Sequence, residues 1–137
     1  MVLGAAVALS WTLAASAQEL TVRSAGPLGE VAQLAEAHEV RVAFSEPMVA
    51  LGRIPEIVQA PFFSISPAVP GRLRWAGTST LVFTPDEKPG LPYATRFRVT
   101  VDTTATSVGG RRLAEPYTFS FTTPTVRLLA AHAYRHL

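Results

Sequence analysis

The sequence predicts an all-β protein, an antiparallel β-sandwich of about seven strands. Three observations predict it. Beyond residue 17 the apolar side chains recur with a period of two, the pattern of strands buried on one face. Clusters of Gly, Pro and Ser break that pattern at short intervals, as turns do. The chain has 137 residues, 48% apolar and 16% charged, which suits one folded domain rather than a disordered segment. A chain of this length buries roughly 65% of its unfolded surface and needs no covalent staple.

The elements follow in order. Residues 1–17 carry no charged side chain, and an apolar run ends in Ala15-Ser16-Ala17 before polar Gln18 and Glu19. That small-x-small triplet predicts a secretory signal peptide cut after Ala17. The run is shorter than the ~20 residues that span a bilayer. Strands are then expected at 20–24, 39–44, 62–66, 72–76, 80–84, 93–101 and 117–123. In 39–44, Val40, Val42 and Phe44 alternate with Arg41 and Ala43. In 72–76, Leu73 and Trp75 alternate with Arg72 and Arg74. The longest case sets Tyr93, Thr95, Phe97, Val99 and Val101 against Arg96, Arg98 and Thr100. One-faced strands must hide that face, and two such sheets packed together do so. Trp75, Phe83, Phe97, Phe119 and Phe121 are expected to point inward. Residues 27–38 read as extended or irregular, with at most a short helical turn. Tyr93 admits two readings, a hydroxyl folded back onto upstream backbone as a tyrosine corner, or a plain core aromatic. The sandwich domain is placed at 18–124. Residues 125–137 resume with Val126, Leu128 and Leu129 and read as a linker and the start of a truncated following domain.

The residues offer little chemistry. With no cysteine there is no disulfide, thiolate site or cysteine nucleophile. No His-Glu-x-x-His, Gly-x-Ser-x-Gly, phosphate loop or dinucleotide fingerprint occurs. His132 and His136 have helical metal-pair spacing but no carboxylate nearby, so a solvated tail is the reading. Asp86 and Glu87 sit beside Lys88 in a Pro-rich stretch and read as a solvated turn, not an acid–base pair. Ser45 lacks a nearby base. Catalytic, cofactor-binding and metal-ligating residues are therefore all expected to be none, and the protein is expected not to be an enzyme. The net charge is +2, and residues 18–71 hold three Arg against six Glu. Residues 72–112 hold six Arg and Lys88 against three acids, a mild polarity rather than the clustered basic stripe of a nucleic-acid binder. Arg72, Arg74, Arg96 and Arg98 are expected on outward faces, either solvated or lining a domain contact.

An ordered set of short pieces resembles a known family. Phe44-Ser45-Glu46-Pro47-Met48 comes first, followed by Ser66-Pro67-Ala68-Val69-Pro70-Gly71 and Trp75. Leu81-Val82-Phe83-Thr84-Pro85, Leu91-Pro92-Tyr93-Ala94-Thr95 and Phe119-Ser120-Phe121-Thr122-Thr123-Pro124 complete the set. Together they resemble a bacterial Ig-like domain of the type found in S-layer and surface proteins. Three further pieces are similar to the amino-terminal region of bacterial alpha-2-macroglobulin-like proteins. These are Val49-Ala50-Leu51-Gly52-Arg53-Ile54-Pro55, Ala60-Pro61-Phe62-Phe63-Ser64-Ile65 and Gly110-Arg111-Arg112-Leu113. The resemblance implies a non-catalytic module of a large periplasmic, secreted or surface-exposed protease-trapping protein. Its partners would be neighbouring domains, with no membrane span after signal cleavage. The trapping parts of such proteins, a bait region and a Cys-Gly-Glu-Gln thioester, are not in this sequence, so no inhibitory residue carries over. The Phe-Ser-Glu-Pro turn also resembles small periplasmic copper carriers. Those use a histidine at the mature amino terminus, where this chain has Gln18 and Glu19. His38 and Met48 alone do not compose a copper site.

Overall fold

The computed structural model describes residues 19–125. The expected signal peptide, His132, His136 and all but the first residue of the 125–137 segment lie outside the described residues. Among the described residues, eight strands form two four-stranded sheets. In chain order they are β1 (Val22–Gly26), β2 (Gly29–Glu30), β3 (Val40–Phe44), β4 (Phe63–Ser66), β5 (Gly71–Ala76), β6 (Thr80–Pro85), β7 (Arg96–Val101) and β8 (Tyr117–Thr122). The first sheet runs β1-β3-β6-β5 and the second β2-β8-β7-β4.

The all-β sandwich is as expected, and all seven expected strands lie within three residues of their observed bounds at both ends. The first is displaced toward Gly26, because the chain bulges between Val22 and Ser24 where it pairs with β3. Leu20 then makes only an isolated bridge to Leu113. β2 was not foreseen. It is two residues long and runs parallel to β8, so the sheets are not wholly antiparallel. Both β2 residues are exposed, so a period-two signal could not reveal it. The expected short helical turn is a single 3-10 turn, Leu34–Ala37, held to the core by buried Ala37.

Alternation builds the core. β7 buries Phe97, Val99 and Val101 and exposes Arg96 and Arg98. β3 buries Val40, Val42 and Phe44. Phe97 and Phe121 face each other across β7 and β8 and stack at 5.2 Å. Phe63 of the second sheet meets Phe83 of the first at 5.7 Å, which joins the layers. Offset and edge-on aromatic pairs of this kind add stability beyond area alone.

One expectation about an aromatic is refined and another corrected. Trp75 points inward as expected, packed against the core and leaning on Phe44 at 6.3 Å, but it is only partly buried because β5 is an edge strand among the described residues. Tyr93 is 52% exposed and is neither a corner nor a core residue. The strand begins only at Arg96, since Ala94 turns through a positive φ of 50° and takes Tyr93 out of register.

β6 departs from alternation in the other direction. Leu81, Val82 and Phe83 are all buried. Val82 faces outward, in register between Arg41 on β3 and Arg74 on β5. The aliphatic stems of those arginines shield it while their heads stay in water.

Candidate functional site

Polar residues cluster at three places, and in each their hydrogen bonds go to the fold. The first is the turn after β3. Ser45 Oγ accepts a hydrogen bond from Thr21 N at 3.0 Å, and Ser45 N donates to Thr21 O at 2.8 Å. Glu46 pairs with Arg111 Nε at 2.5 Å and also with Ser107, from the loop between β7 and β8. The Arg111 contact, foremost, holds the Glu46 carboxyl below the ordinary glutamate range. Pro47 O accepts Val108 N at 2.8 Å, and Met48 N donates to Thr78 O at 2.7 Å. One short turn thus ties β1, the β5–β6 hairpin and the β7–β8 loop together. The Ser45 hydroxyl oxygen is thereby engaged by the backbone of Thr21.

The second cluster lies on the outer face of the first sheet. Glu39 Oε1 accepts Arg74 Nη2 at 2.8 Å, and its Oε2 accepts Arg41 Nη2 at 2.6 Å. Arg74, then Arg41, holds the Glu39 carboxyl below its ordinary range, against the opposing effect of partial burial. This clamp bridges β3 and β5 across Val82.

The third cluster is a latch that the sequence did not announce. Thr123, 2% exposed, donates its hydroxyl to Pro92 O at 2.7 Å and accepts Thr95 N at 3.0 Å. Thr123 N also donates to Thr95 O at 2.9 Å, and Ala94 N to Pro124 O at 2.9 Å. The end of β8 therefore pins the corner that leads into β7, a task the sequence suggested for Tyr93. The one signal available was a Thr-Pro pair at a strand exit, which marks the exit but not a buried hydroxyl.

The remaining candidates stand apart. His38 Nδ1 donates to Ala35 O at 2.6 Å, within its own 3-10 turn. The ring borders an open cleft of about 420 Å³ whose other walls include Leu34, Pro85, Asp86 and Leu91. Met48 is buried at the opposite end of β3, a five-residue strand spanning ~17 Å. The copper-carrier residues are thus not brought together. Asp86 donates its backbone N–H to Pro70 O, and Glu87 beside it is exposed. Asp102, held low first by the Thr104 hydroxyl and then by its backbone N–H, caps its own turn. Among the described residues no group of three or more His, Cys, Asp or Glu converges as metal ligands would.

The family model described as bacterial Ig-like domain matches residues 16–123. A sequence search of curated proteins finds no relative. Among solved structures, native alpha-2-macroglobulin from Escherichia coli, spanning domains MG0-NIE-MG1, is similar with a TM-score of 0.55 at 13% identity, over 80% of this chain and 33% of that one. An L,D-transpeptidase from Mycobacterium smegmatis gives a TM-score of 0.48 at 27% identity, over 78% of this chain and 41% of that one. An L,D-transpeptidase from Mycobacterium tuberculosis H37Rv gives 0.44 at 24% identity, over 75% and 39%. The chain spans no more than about two fifths of any of these three.

Proposed function

The chain belongs to the bacterial Ig-like domain family, and from that premise we propose that it is a non-catalytic, extracytoplasmic module that positions neighbouring domains of a larger protein. Domains of this family are typically extracytoplasmic. No helix among the described residues is long and apolar enough to cross a membrane.

One observation carries the reading. The polar residues of the family-like motifs, Ser45 and Glu46 with their partners Ser107 and Arg111, are engaged in joining strands and loops. A turn that fixes three connections at one end of a sandwich suits a rigid spacer whose ends must hold a set direction. The parent we favour is an alpha-2-macroglobulin-like protein, which the likeness to the Escherichia coli protein supports at the level of fold. Protease trapping would then reside in other regions of that parent. A binding module of an S-layer or adhesion protein is the second reading, favoured by Arg72, Arg96 and Arg98, which are exposed on the strands and form no ion pair among the described residues.

Fractionation of the native host with an antibody to this domain tests the proposal. The expected result is a polypeptide far larger than 14.7 kDa in the periplasmic or envelope fraction. A small species confined to the cytoplasm would overturn it.

A further inference from the structure

Among the described residues the two sheets have four edge strands, β1 and β5 on the first and β2 and β4 on the second. An edge strand carries backbone N–H and C=O groups without a ladder partner, and folded proteins blunt such edges with bulges, prolines, short length or a covering loop. Three of the four are blunted in this way. β1 is bulged between Val22 and Ser24, and Leu20 just before it bridges to Leu113. β2 is two residues long. β4 is four residues long, its Phe63 N–H donates to Ala60 O of the preceding loop, and Pro67 follows its last residue. β5 has none of these devices. It pairs with β6 through six consecutive residues, Gly71–Ala76, with no bulge and no proline.

The register identifies the groups left over. Asp86 N donates to Pro70 O, and bonded and non-bonded pairs alternate along an antiparallel ladder. Arg72, Arg74 and Ala76 therefore turn their backbone groups toward β6, and Gly71, Leu73 and Trp75 turn theirs away from it. No other backbone group among the described residues bonds to those three, and the loop between β3 and β4 sends none. Between β5 and β4 lies a cleft of about 470 Å³ walled by Phe63, Ile65, Leu73 and Phe83, with Ile57 and Val58 from that loop. Ile57 is 83% exposed. Arg72 and Arg74 are exposed on the same strand. Arg74 shares Glu39, whereas Arg72 has no ion pair, and Glu56 beside the cleft pairs with neither.

We propose that β5 accepts one further strand from another protein, an extended segment in which apolar and acidic residues alternate. The backbone of that segment completes the ladder at Gly71, Leu73 and Trp75. Its apolar residues face the cleft, and its acidic residues lie opposite Arg72 and Arg74, where opposite charges across two strands stabilise the pair. An extended polypeptide is the occupant because it presents N–H and C=O groups along one edge at the spacing of a strand. The arginines decide against a second copy of this chain. Any antiparallel pairing of two β5 strands that joins more than one of Gly71, Leu73 and Trp75 sets an arginine of one copy opposite an arginine of the other, and like charges directly opposite are destabilising. The edge repels its own kind and accepts an acidic strand. The inference concerns a surface of this domain and holds whichever parent carries it.

Titration of a fluorescent hexapeptide alternating Glu and Val with the full chain, read by anisotropy, tests it. Saturable binding is expected. N-methylation of the valines, whose N–H groups would join the ladder, should abolish it. Lysine in place of glutamate should weaken it several-fold, and Arg72→Glu should reverse that preference. Amide exchange followed by NMR locates the site. With the peptide at ten times its Kd, the Leu73 and Trp75 N–H groups should exchange about tenfold more slowly, and that of Arg74, already bonded to β6, should not change. No binding up to about 1 mM, undiminished binding of the N-methylated peptide, tighter binding of the lysine peptide, or protection confined to β1 or β4 would overturn the proposal. So would a dimer of the chain alone in which the Leu73 and Trp75 amides are protected, since a second copy would then be the occupant. Equal thermal midpoints for wild type and Arg72→Glu separate altered binding from lost folding.

Discussion

Replacing Thr123 by valine keeps the shape of the side chain and removes only its hydroxyl. That hydroxyl joins Pro92 O at 2.7 Å to Thr95 N at 3.0 Å, in a residue 2% exposed. Two net hydrogen bonds are lost, at about 1 kcal/mol each, and a partly buried N–H and C=O lose their partner, which adds about another 1 kcal/mol. The expected loss is about 2–3 kcal/mol, a large share of the roughly 5–15 kcal/mol that holds a domain folded. For a domain near 100 residues this lowers the thermal midpoint by roughly 8–15 °C. Differential scanning calorimetry of Thr123→Val, Thr123→Ser and Tyr93→Phe reads it. The serine variant keeps the hydroxyl and should lose about 1 kcal/mol for its missing methyl. Tyr93→Phe should change nothing beyond about 0.5 kcal/mol, since that ring is half exposed. A valine variant within 2 °C of wild type, or a phenylalanine variant that falls as far, would refute the latch and restore the tyrosine-corner reading.

Phe97→Ala and Phe121→Ala should each cost roughly 3–5 kcal/mol in urea titrations, whereas Trp75→Ala, at an edge, should cost about 2 kcal/mol. Gly71→Ala places a Cβ 2.5 Å from the Phe83 ring and 2.6 Å from Thr84 O, so about 1–3 kcal/mol should be lost although the site is on an edge strand. The Glu39 clamp has a definite pH sign: its folded carboxyl is depressed, so its contribution is present above about pH 4.3 and is lost as pH falls through the lower folded value. Glu39→Gln should therefore flatten the acid limb of the stability profile and leave its shape above about pH 6 unaltered. Trace trypsin should cut first at Arg53, in an exposed stretch between the sheets, and spare Arg98 within β7, which N-terminal sequencing of the first fragments would check.

What was legible in the sequence was whatever one strand can record by itself. β3, β7 and β8 alternate cleanly because each has one face on the core and one on solvent, and their burial follows the pattern residue by residue. What was illegible depended on neighbours. Trp75 looks like a core residue from its own strand, and only the sheet order makes β5 an edge. Val82 looks like an outward residue, and it is buried only because Arg41 and Arg74 flank it from two other strands. β2 exists because Val31 N finds Thr122 O at 3.0 Å, a pairing with a strand some ninety residues away. The four arginines taken together as outward were correctly placed, but their pairing was not readable. Arg74 meets a glutamate 35 positions distant, whereas Arg72, Arg96 and Arg98 meet none.

The same division explains why the family was recognisable while chemistry was not. Phe44-Ser45-Glu46-Pro47-Met48 has the look of a functional motif: a hydroxyl, a carboxylate and a thioether within five residues. In the fold, Phe44 and Met48 enter the core, Ser45 meets the backbone of Thr21, and Glu46 meets Arg111 and Ser107. Each residue type is required by one loop contact, so the string is fixed by packing alone. A motif that holds loops together needs buried ends and internally satisfied polar atoms. A motif that acts on a ligand needs polar atoms left over. Among the described residues, that second condition is met on both sheets, by Arg72 as by Arg96 and Arg98, whose strands read in sequence as ordinary alternation. Within the family-like pieces, too, Arg53 and Arg112 are exposed and form no ion pair among the described residues, so recognisability says nothing of which side chains are free, and binding has to be sought from the partners each side chain keeps.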